Sequence, residues 1–523
     1  MLTRLSVKGF KSLIDVEVVF GPLTCIAGLN AAGKSNLLDV IMFLSDLADF
    51  SILEAATRVR DRSGPRKGEA TAIFSRTQDG ITRIIELEAE FLVPKLVADD
   101  FGQETHASAT HLRYKVSIEL SNETDSAGPE KILLTHESLT YIPKQESRKR
   151  LGFPHSSDFW NSVIGPGRRS DFIATEEKNG QTIIRLKQDG GDMGRALDIP
   201  AKRSSRTVLS TINTADKPTA LAAKREMQSW RFLQLEPARL RLPSDFDESP
   251  TLESDGAHLP AVLHRLGCYD AVANRLSSLI GGVEGVDIDV DSGRRLKTLY
   301  LVQKGGVKYA ARSLSDGTLR FLALSVLAED PKALGLIALE EPENGIHPSR
   351  VPAVMTLIED IAVDPSRSVS EENPLRQVII TTHSPAVVQS IDVNNLLVAI
   401  PFKIGHISGT KYGFVPDSTW REKIVFEREK PPHIGVGLLI RYLSEPENNS
   451  EEEFEQPNHR KTVKNWAAEQ TQFDFMNIHA KPPRPGSRRE RSALRSLASI
   501  DHRCGPAGSA LRLSGTGQLV LQR

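Results

Sequence analysis

Apolar residues recur along this chain with several different spacings. Near the start they form short blocks, Val18-Val19-Phe20 and Leu23-Thr24-Cys25-Ile26-Ala27, of the kind buried strands present. Over residues 36–44 the spacing changes: Leu37, Leu38, Ile41 and Met42 recur at helical intervals, which predicts a helix. A second, largely apolar helix is predicted after Ser315, carrying Leu319, Phe321, Leu322, Leu324 and Val326. Residues 334–339 and 377–382 are apolar or β-branched runs that stop abruptly at polar residues, and both read as buried strands. Val286, Ile288 and Val290 alternate with Asp287, Asp289 and Asp291, the pattern of a half-exposed strand. A calcium loop is excluded there, because Thr298 stands where the bidentate glutamate is needed. No heptad pattern or solenoid repeat persists.

These patterns divide the chain into four stretches. Residues 1–95 mix strands with one strong helix, and 96–230 form a polar insert with turn clusters such as Gly165-Pro166-Gly167 and Asp189-Gly190-Gly191. Residues 231–425 return to helices and buried strands, and 426–523 lose that regularity. The tail carries six acidic and no basic residues over 445–455, then nine basic and two acidic over 481–523, so it is expected to be of low order. These opposed segments sit inside a near-neutral total of 66 Lys and Arg against 67 Asp and Glu, so net charge does not announce a nucleic-acid partner. With 39% hydrophobic and 25% charged residues the composition is globular, and no apolar stretch reaches the roughly 18 residues a membrane span needs. The polar approach to the first apolar run, with Asp15 and Glu17, argues against a signal peptide. Three dispersed cysteines, Cys25, Cys268 and Cys504, make neither a disulfide framework nor a zinc site, and a cytoplasmic location is expected.

The chemistry begins at Gly28-Leu29-Asn30-Ala31-Ala32-Gly33-Lys34-Ser35, a G-x-x-x-x-G-K-S loop between a predicted strand and a predicted helix. Its glycines permit close approach of the backbone, and its N–H groups together with the helix N-terminus bind phosphate oxygens. Lys34 neutralises phosphate charge and Ser35 is the residue type that holds Mg²⁺ in such loops. Ser315, followed by Asp316-Gly317-Thr318, is a good N-cap with a glycine that leaves room for a ligand. The run 334–339 ends in Glu340-Glu341-Pro342-Glu343-Asn344, and a strand ending in two carboxylates delivers them to the edge where α/β sheets bind ligands. Adjacent strand residues point to opposite faces, so Glu340 and Glu341 are expected to have separate roles. The run 377–382 ends at His383, again at a strand's carboxyl end, while His347 reads only as a turn cap.

The order of these motifs resembles the ABC-type ATPases of the SMC/RecF group, in particular bacterial AAA family ATPases with a head domain and no long coiled coil. Val7-Lys8-Gly9-Phe10-Lys11-Ser12-Leu13 resembles the group's first strand, residues 28–35 with Asn36 its Walker A motif, residues 314–318 its signature, and 336–341 its Walker B motif. Residues 344–348 fall where the group has its D-loop, and His383 where it has the switch histidine. Asp255-Gly256-Ala257-His258-Leu259 resembles a segment that precedes the signature. The resemblance implies an α/β P-loop NTPase fold with an ABC/SMC-head-like mixed sheet, flanking helices and an inserted α+β subdomain. It further implies a Mg²⁺-dependent ATPase that sandwiches ATP in a head-to-head homodimer. Gly28, Asn30, Gly33, Lys34, Ser35 and Asn36 would bind the nucleotide in cis, with Ser35 and Glu340 on the metal. Ser315 and Gly317 would contact the nucleotide of the opposite subunit, Glu341 would be the general base, and His383 would sense the γ-phosphate. Glu340 stands where the group has aspartate, and no glutamine of the Q-loop is evident; Gln78 lies at a suitable distance in an undistinctive context.

The resemblance points to a switch controlling a DNA-directed process, repair or antiviral defence, with DNA or a companion nuclease as partner. No Glu followed by a D-x-D pair occurs after His383, so no nuclease site is expected within the chain. The competing reading is the ATPase subunit of a membrane transporter, against which the long polar insert and the Glu-Pro-Glu-Asn sequence weigh. A third, a nucleotide-binding scaffold without turnover, is opposed by Glu341.

Overall fold

In the computed structural model the described residues are 1–59, 69–77, 80–121, 131–165, 167, 171–187, 189, 197–248, 251–404, 407–415, 420–428, 430–444, 512–513 and 519–520. The chain divides into two units, Met1–Glu445 and Pro446–Arg523. In the second unit the described residues are a two-stranded pairing of Arg512 with Val520 and Leu513 with Leu519. The rest of the tail, with its acidic and basic runs and Cys504, lies outside the described residues, as does Gln78.

Two large sheets dominate the first unit, beside a four-stranded sheet and two short two-stranded pairings. The site-bearing sheet has six strands in the order Arg231–Leu233, Gly335–Glu340, Arg376–Thr382, Leu23–Ala27, Leu396–Ile404, Ile407–Gly413. The first five run parallel and the last pairs antiparallel with its neighbour. Both faces of this sheet are covered, which is why its strands read as nearly continuous apolar runs; all seven residues of Arg376–Thr382 are buried. The second sheet is antiparallel with eight strands, running from Leu197–Pro200 through Gln181–Leu186, Ile173–Lys178, Ile132–Tyr141, His111–Leu120, Ile84–Leu92 and Leu2–Phe10 to Leu13–Val19. Helix Lys34–Leu47 shares one core cluster with residues of both sheets and is buried almost all round, with Phe43 tilted against Phe10 at 5.8 Å. Buried Gln377 staples the sheets together. Its Oε1 accepts Leu2 N–H at 2.8 Å, and its amide donates to the carbonyls of Leu2 (2.7 Å) and Gly21 (2.8 Å).

Pairing and hydrogen bonds cross the boundaries drawn from composition. Ile84–Leu92 and His111–Leu120 lie on either side of residue 95 and pair over their full lengths. Five strands of the insert, His111–Leu120, Ile132–Tyr141, Ile173–Lys178, Gln181–Leu186 and Leu197–Pro200, therefore extend the N-terminal sheet. At the other end, Glu17 Oε2 accepts the N–H groups of Glu427 (2.8 Å) and Arg428 (2.9 Å), so the body continues past 425. The aspartate-rich strand Val283–Asp291 pairs with Leu296–Gln303 and buries Val286 and Ile288, as its alternation predicts.

Candidate functional site

Four parallel strands deliver their carboxyl ends to one side of the site-bearing sheet. Leu23–Ala27 runs into the phosphate loop, Gly335–Glu340 into the paired glutamates, Arg376–Thr382 into His383, and Arg231–Leu233 into Gln234. A cavity of about 570 Å³ opens there, lined by Asn30, Gly33, Lys34, Ser35, Asn36, Glu340 and Glu341 among others. Gln234, Arg320 and Asn344 line it too.

The phosphate loop is held from behind. Gly33, at the mouth of helix Lys34–Leu47, has φ +89°, and a Cβ there would meet Thr410 Oγ1 at 2.0 Å and Ser12 Oγ at 2.9 Å. No L side chain suits that backbone or that space. Tyr412 donates its hydroxyl to Gly33 O at 3.0 Å, and Asn36 Nδ2 donates to Ser12 Oγ at 2.7 Å. Lys34 Nζ donates to the carbonyls of Gly28 (2.6 Å) and Leu29 (2.8 Å), so the ammonium closes the loop upon itself. Burial pushes the Lys34 pKa down, opposed by the carboxylates of Glu341, Glu340 and Glu343. Cys25 lies in the strand beneath the loop; burial pushes its thiol pKa far up, which fits core packing.

Strand alternation sends Glu340 and Glu341 to opposite faces, yet both line the cavity. The strand ends at Glu340 and the chain takes a left-handed turn at Glu341, φ +46°, where alternation no longer applies. Glu341 N–H still donates to Thr381 O at 2.9 Å. Its carboxylate accepts Asn344 Nδ2 at 2.8 Å and lies 2.7 Å from His383 Nδ1. An ionised carboxylate can only accept, so Nδ1 donates to it. Burial raises the Glu341 pKa, but the Asn344 and His383 bonds, helped by Lys34, overcome it and hold the group below its ordinary 4.5. The cavity lining thus sets Lys34 and Arg320 against Glu340 and Glu341, close to charge balance.

Not every predicted residue meets in this cavity. Gly28 does not line it, and a Cβ there would lie tightly against Ala399, 3.0 Å from its carbonyl oxygen. His383 does not line it but contacts Glu341, which does. Ser315 caps helix Asp316–Glu329, accepting Thr318 N–H at 3.3 Å, and neither it nor Gly317 lines the cavity. A Cβ on Gly317 would meet Gly345 O at 2.7 Å, so the helix start sits against the loop after Glu341. His347 caps the turn Pro348–Arg350, accepting Ser349 N–H at 3.3 Å.

Two lining residues escape a reading of the sequence. Gln234 follows a strand of three residues, too short to give a periodic signal. Arg320 is one basic position on a largely apolar helix. Its Nε donates to Leu235 O at 3.2 Å and its Nη1 to Asn344 O, tying the loops after two neighbouring strands together.

Residues 145–389 match the family described as "AAA domain, putative AbiEii toxin, Type IV TA system". Short segments match curated proteins. An OLD nuclease of Thermus scotoductus is 51% identical over 41 residues, 8% of this chain and 8% of its own length. The DNA repair protein RecN of Xylella fastidiosa is 37% identical over 79 residues, 15% of this chain and 13% of its own. The DNA replication and repair protein RecF of Parabacteroides distasonis is 46% identical over 46 residues, 9% of this chain and 13% of its own. The chain therefore matches at most 13% of the length of these relatives. Among solved structures, an SmcHead bound to the C-winged helix domain of ScpA is 14% identical and covers 79% of this chain and 98% of its own, with TM-score 0.40. The SMC head domain from Thermotoga maritima is 12% identical and covers 78% and 97%, with TM-score 0.32.

Proposed function

We propose that this chain, an SMC/RecF-like AAA ATPase, binds ATP in the cavity above the phosphate loop and hydrolyses it with Glu341 as general base. The carrying observation is that Glu341 reaches the cavity of Lys34 and Ser35 while its carboxylate is held on both oxygens, by Asn344 and by His383. A base so held stays ionised and aimed, and phosphoryl transfer depends mainly on such positioning and charge. Lys34, swung from the Gly28 and Leu29 carbonyls, and the loop N–H groups hold the phosphates.

A triphosphate entering a nearly charge-balanced cavity needs further positive charge. Ser35 and Glu340 offer one hydroxyl and one carboxylate, a donor set that suits Mg²⁺, which keeps its other positions for water and phosphate oxygens. Bound there, the cation would neutralise charge on the phosphates.

Ser315 and Gly317 lie outside the cavity, which supports their acting on the nucleotide of a second copy in a head-to-head dimer. The names of the matched proteins, an OLD nuclease, RecN and RecF, support a DNA-directed output in repair or defence, with DNA or a separate nuclease as partner. The test is a set of three variants assayed for turnover, nucleotide binding and mass in solution. Glu341→Gln is expected to bind ATP, lose turnover and accumulate as a dimer. Lys34→Ala is expected to lose binding, and Ser315→Arg to bind as a monomer. Turnover at the parent rate in Glu341→Gln sinks the assignment of the base.

A further inference from the structure

Thr382, the last residue of its strand, is tied in three directions. Its carbonyl accepts Gly28 N–H at 3.1 Å, at the root of the phosphate loop. Its hydroxyl accepts Ser384 N–H at 2.9 Å and donates its proton to Glu343 Oε1. His383 stands between Thr382 and Ser384, the ends of the short turn that this hydroxyl closes. Glu343 is 7% exposed, and its Oε2 has no hydrogen-bond partner among the described residues. A buried carboxyl with a bare oxygen is an expensive filler, since an apolar side chain would pack the same space without the desolvation cost. What an apolar side chain could not do is accept the Thr382 proton.

We propose that Glu343 is a positioning residue: by taking the Thr382 hydroxyl proton it obliges that hydroxyl to accept Ser384 N–H, and so holds His383 on the Glu341 carboxylate. The inference rests on the proposed roles of Glu341 and His383 in ATP hydrolysis. It adds a link to the helix that begins at Asp316. Glu343 O accepts Ile346 N–H at 3.0 Å, which folds the loop so that Gly345 O lies against Gly317. One short loop thereby joins the start of that helix, through Glu343 and Thr382, to the histidine. Burial pushes the Glu343 pKa up, only partly offset by the Thr382 bond, consistent with a group used as a hydrogen-bond acceptor in a dry place and not as an exposed charge.

The test compares Glu343→Ala, Glu343→Gln and Thr382→Val in the full chain, by steady-state ATP turnover and binding of a fluorescent ATP analogue. Glu343→Ala and Thr382→Val are expected to lower kcat about 10- to 100-fold, the range for loss of an orienting partner, with KM and nucleotide affinity nearly unchanged. The double variant is expected to be no worse than either single one, because both break the same link. Glu343→Gln keeps an oxygen that accepts the Thr382 proton and is expected to retain kcat within about threefold of the parent. Parent-like kcat in Glu343→Ala, an equal loss in Glu343→Gln, or additive losses in the double variant would each overturn the proposal. If the parent binds ATP without turning it over, the ATPase reading fails separately. The positioning claim is then read from the imidazole resonances of histidine-labelled protein, with His383→Gln identifying the signal. Glu343→Ala must shift that signal and Glu343→Gln must leave it in place; an unmoved signal in Glu343→Ala overturns the claim.

Discussion

Glu341 is held in a left-handed backbone conformation, φ +46°, that an L residue adopts only under constraint. The cost can be measured by comparing Glu341→Ala with Glu341→Gly. Both variants lose the same hydrogen bonds, from Asn344 and His383, so those losses cancel in the comparison. What remains is backbone. Alanine at this φ carries a penalty of about 1–2 kcal/mol. Glycine escapes it but gives back about 0.5–1 kcal/mol through the greater freedom of the unfolded chain. The glycine variant is therefore expected to be the more stable by about 0.5–1 kcal/mol, where an ordinary strand or helix position would favour alanine by a similar amount. Urea unfolding of nucleotide-free protein, followed by fluorescence, reads the difference as a higher midpoint for Glu341→Gly at unchanged slope. Neither variant should turn over ATP. An alanine variant as stable as the glycine variant, or more so, would refute the strained turn, and with it the reason that both glutamates reach one cavity.

Other expectations are more direct. Gly33→Ala should lose nucleotide binding, read by titration with a fluorescent analogue, because its Cβ would overlap Thr410 Oγ1 and reshape the loop that cradles phosphate. Glu341, whose pKa is depressed in the folded state, contributes stability that is present above its unfolded pKa near 4.5 and lost as pH falls through the lower folded value. The urea-midpoint advantage of the parent over Glu341→Gln should accordingly stay level from neutral pH to about 5 and shrink below 4.5. In the second sheet, buried Glu137 accepts Val208 N–H (2.6 Å), Leu209 N–H (2.9 Å) and Tyr114 Oη–H (3.1 Å). Glu137→Gln turns an amide NH₂ against one of these donors and should cost about 1–3 kcal/mol in a thermal or urea melt, leaving nucleotide affinity intact.

Much of the site is legible in the order of residues because its chemistry is local. The phosphate loop needs its glycines, lysine and serine within eight consecutive positions, and strand and helix follow from the apolar spacing on either side. The cap at Ser315 and the abrupt ends of two buried strands at Glu340 and His383 are equally local. Each of these is set by contacts within a few residues, so composition and periodicity carry it.

What the fold alone decided depends on distant segments meeting. The six-stranded order places a strand of three residues beside Gly335–Glu340 and so brings Gln234 to the cavity, although nothing around it in sequence marks it. Arg320 gains its place by bridging Leu235 and Asn344, 85 and 24 positions away. The polar insert joined the first sheet because edge strands pair with whatever backbone lies alongside, a matter of geometry that composition does not encode. The left-handed turn at Glu341 reverses the expectation from strand alternation, since alternation holds only while the strand does. By itself the sequence determined which groups could bind phosphate and hold a base. Only the tertiary structure decided which of them share one cavity, because the hydrogen bonds that His383 and Thr382 make to Glu341 and Glu343 act across a sheet, not along a chain.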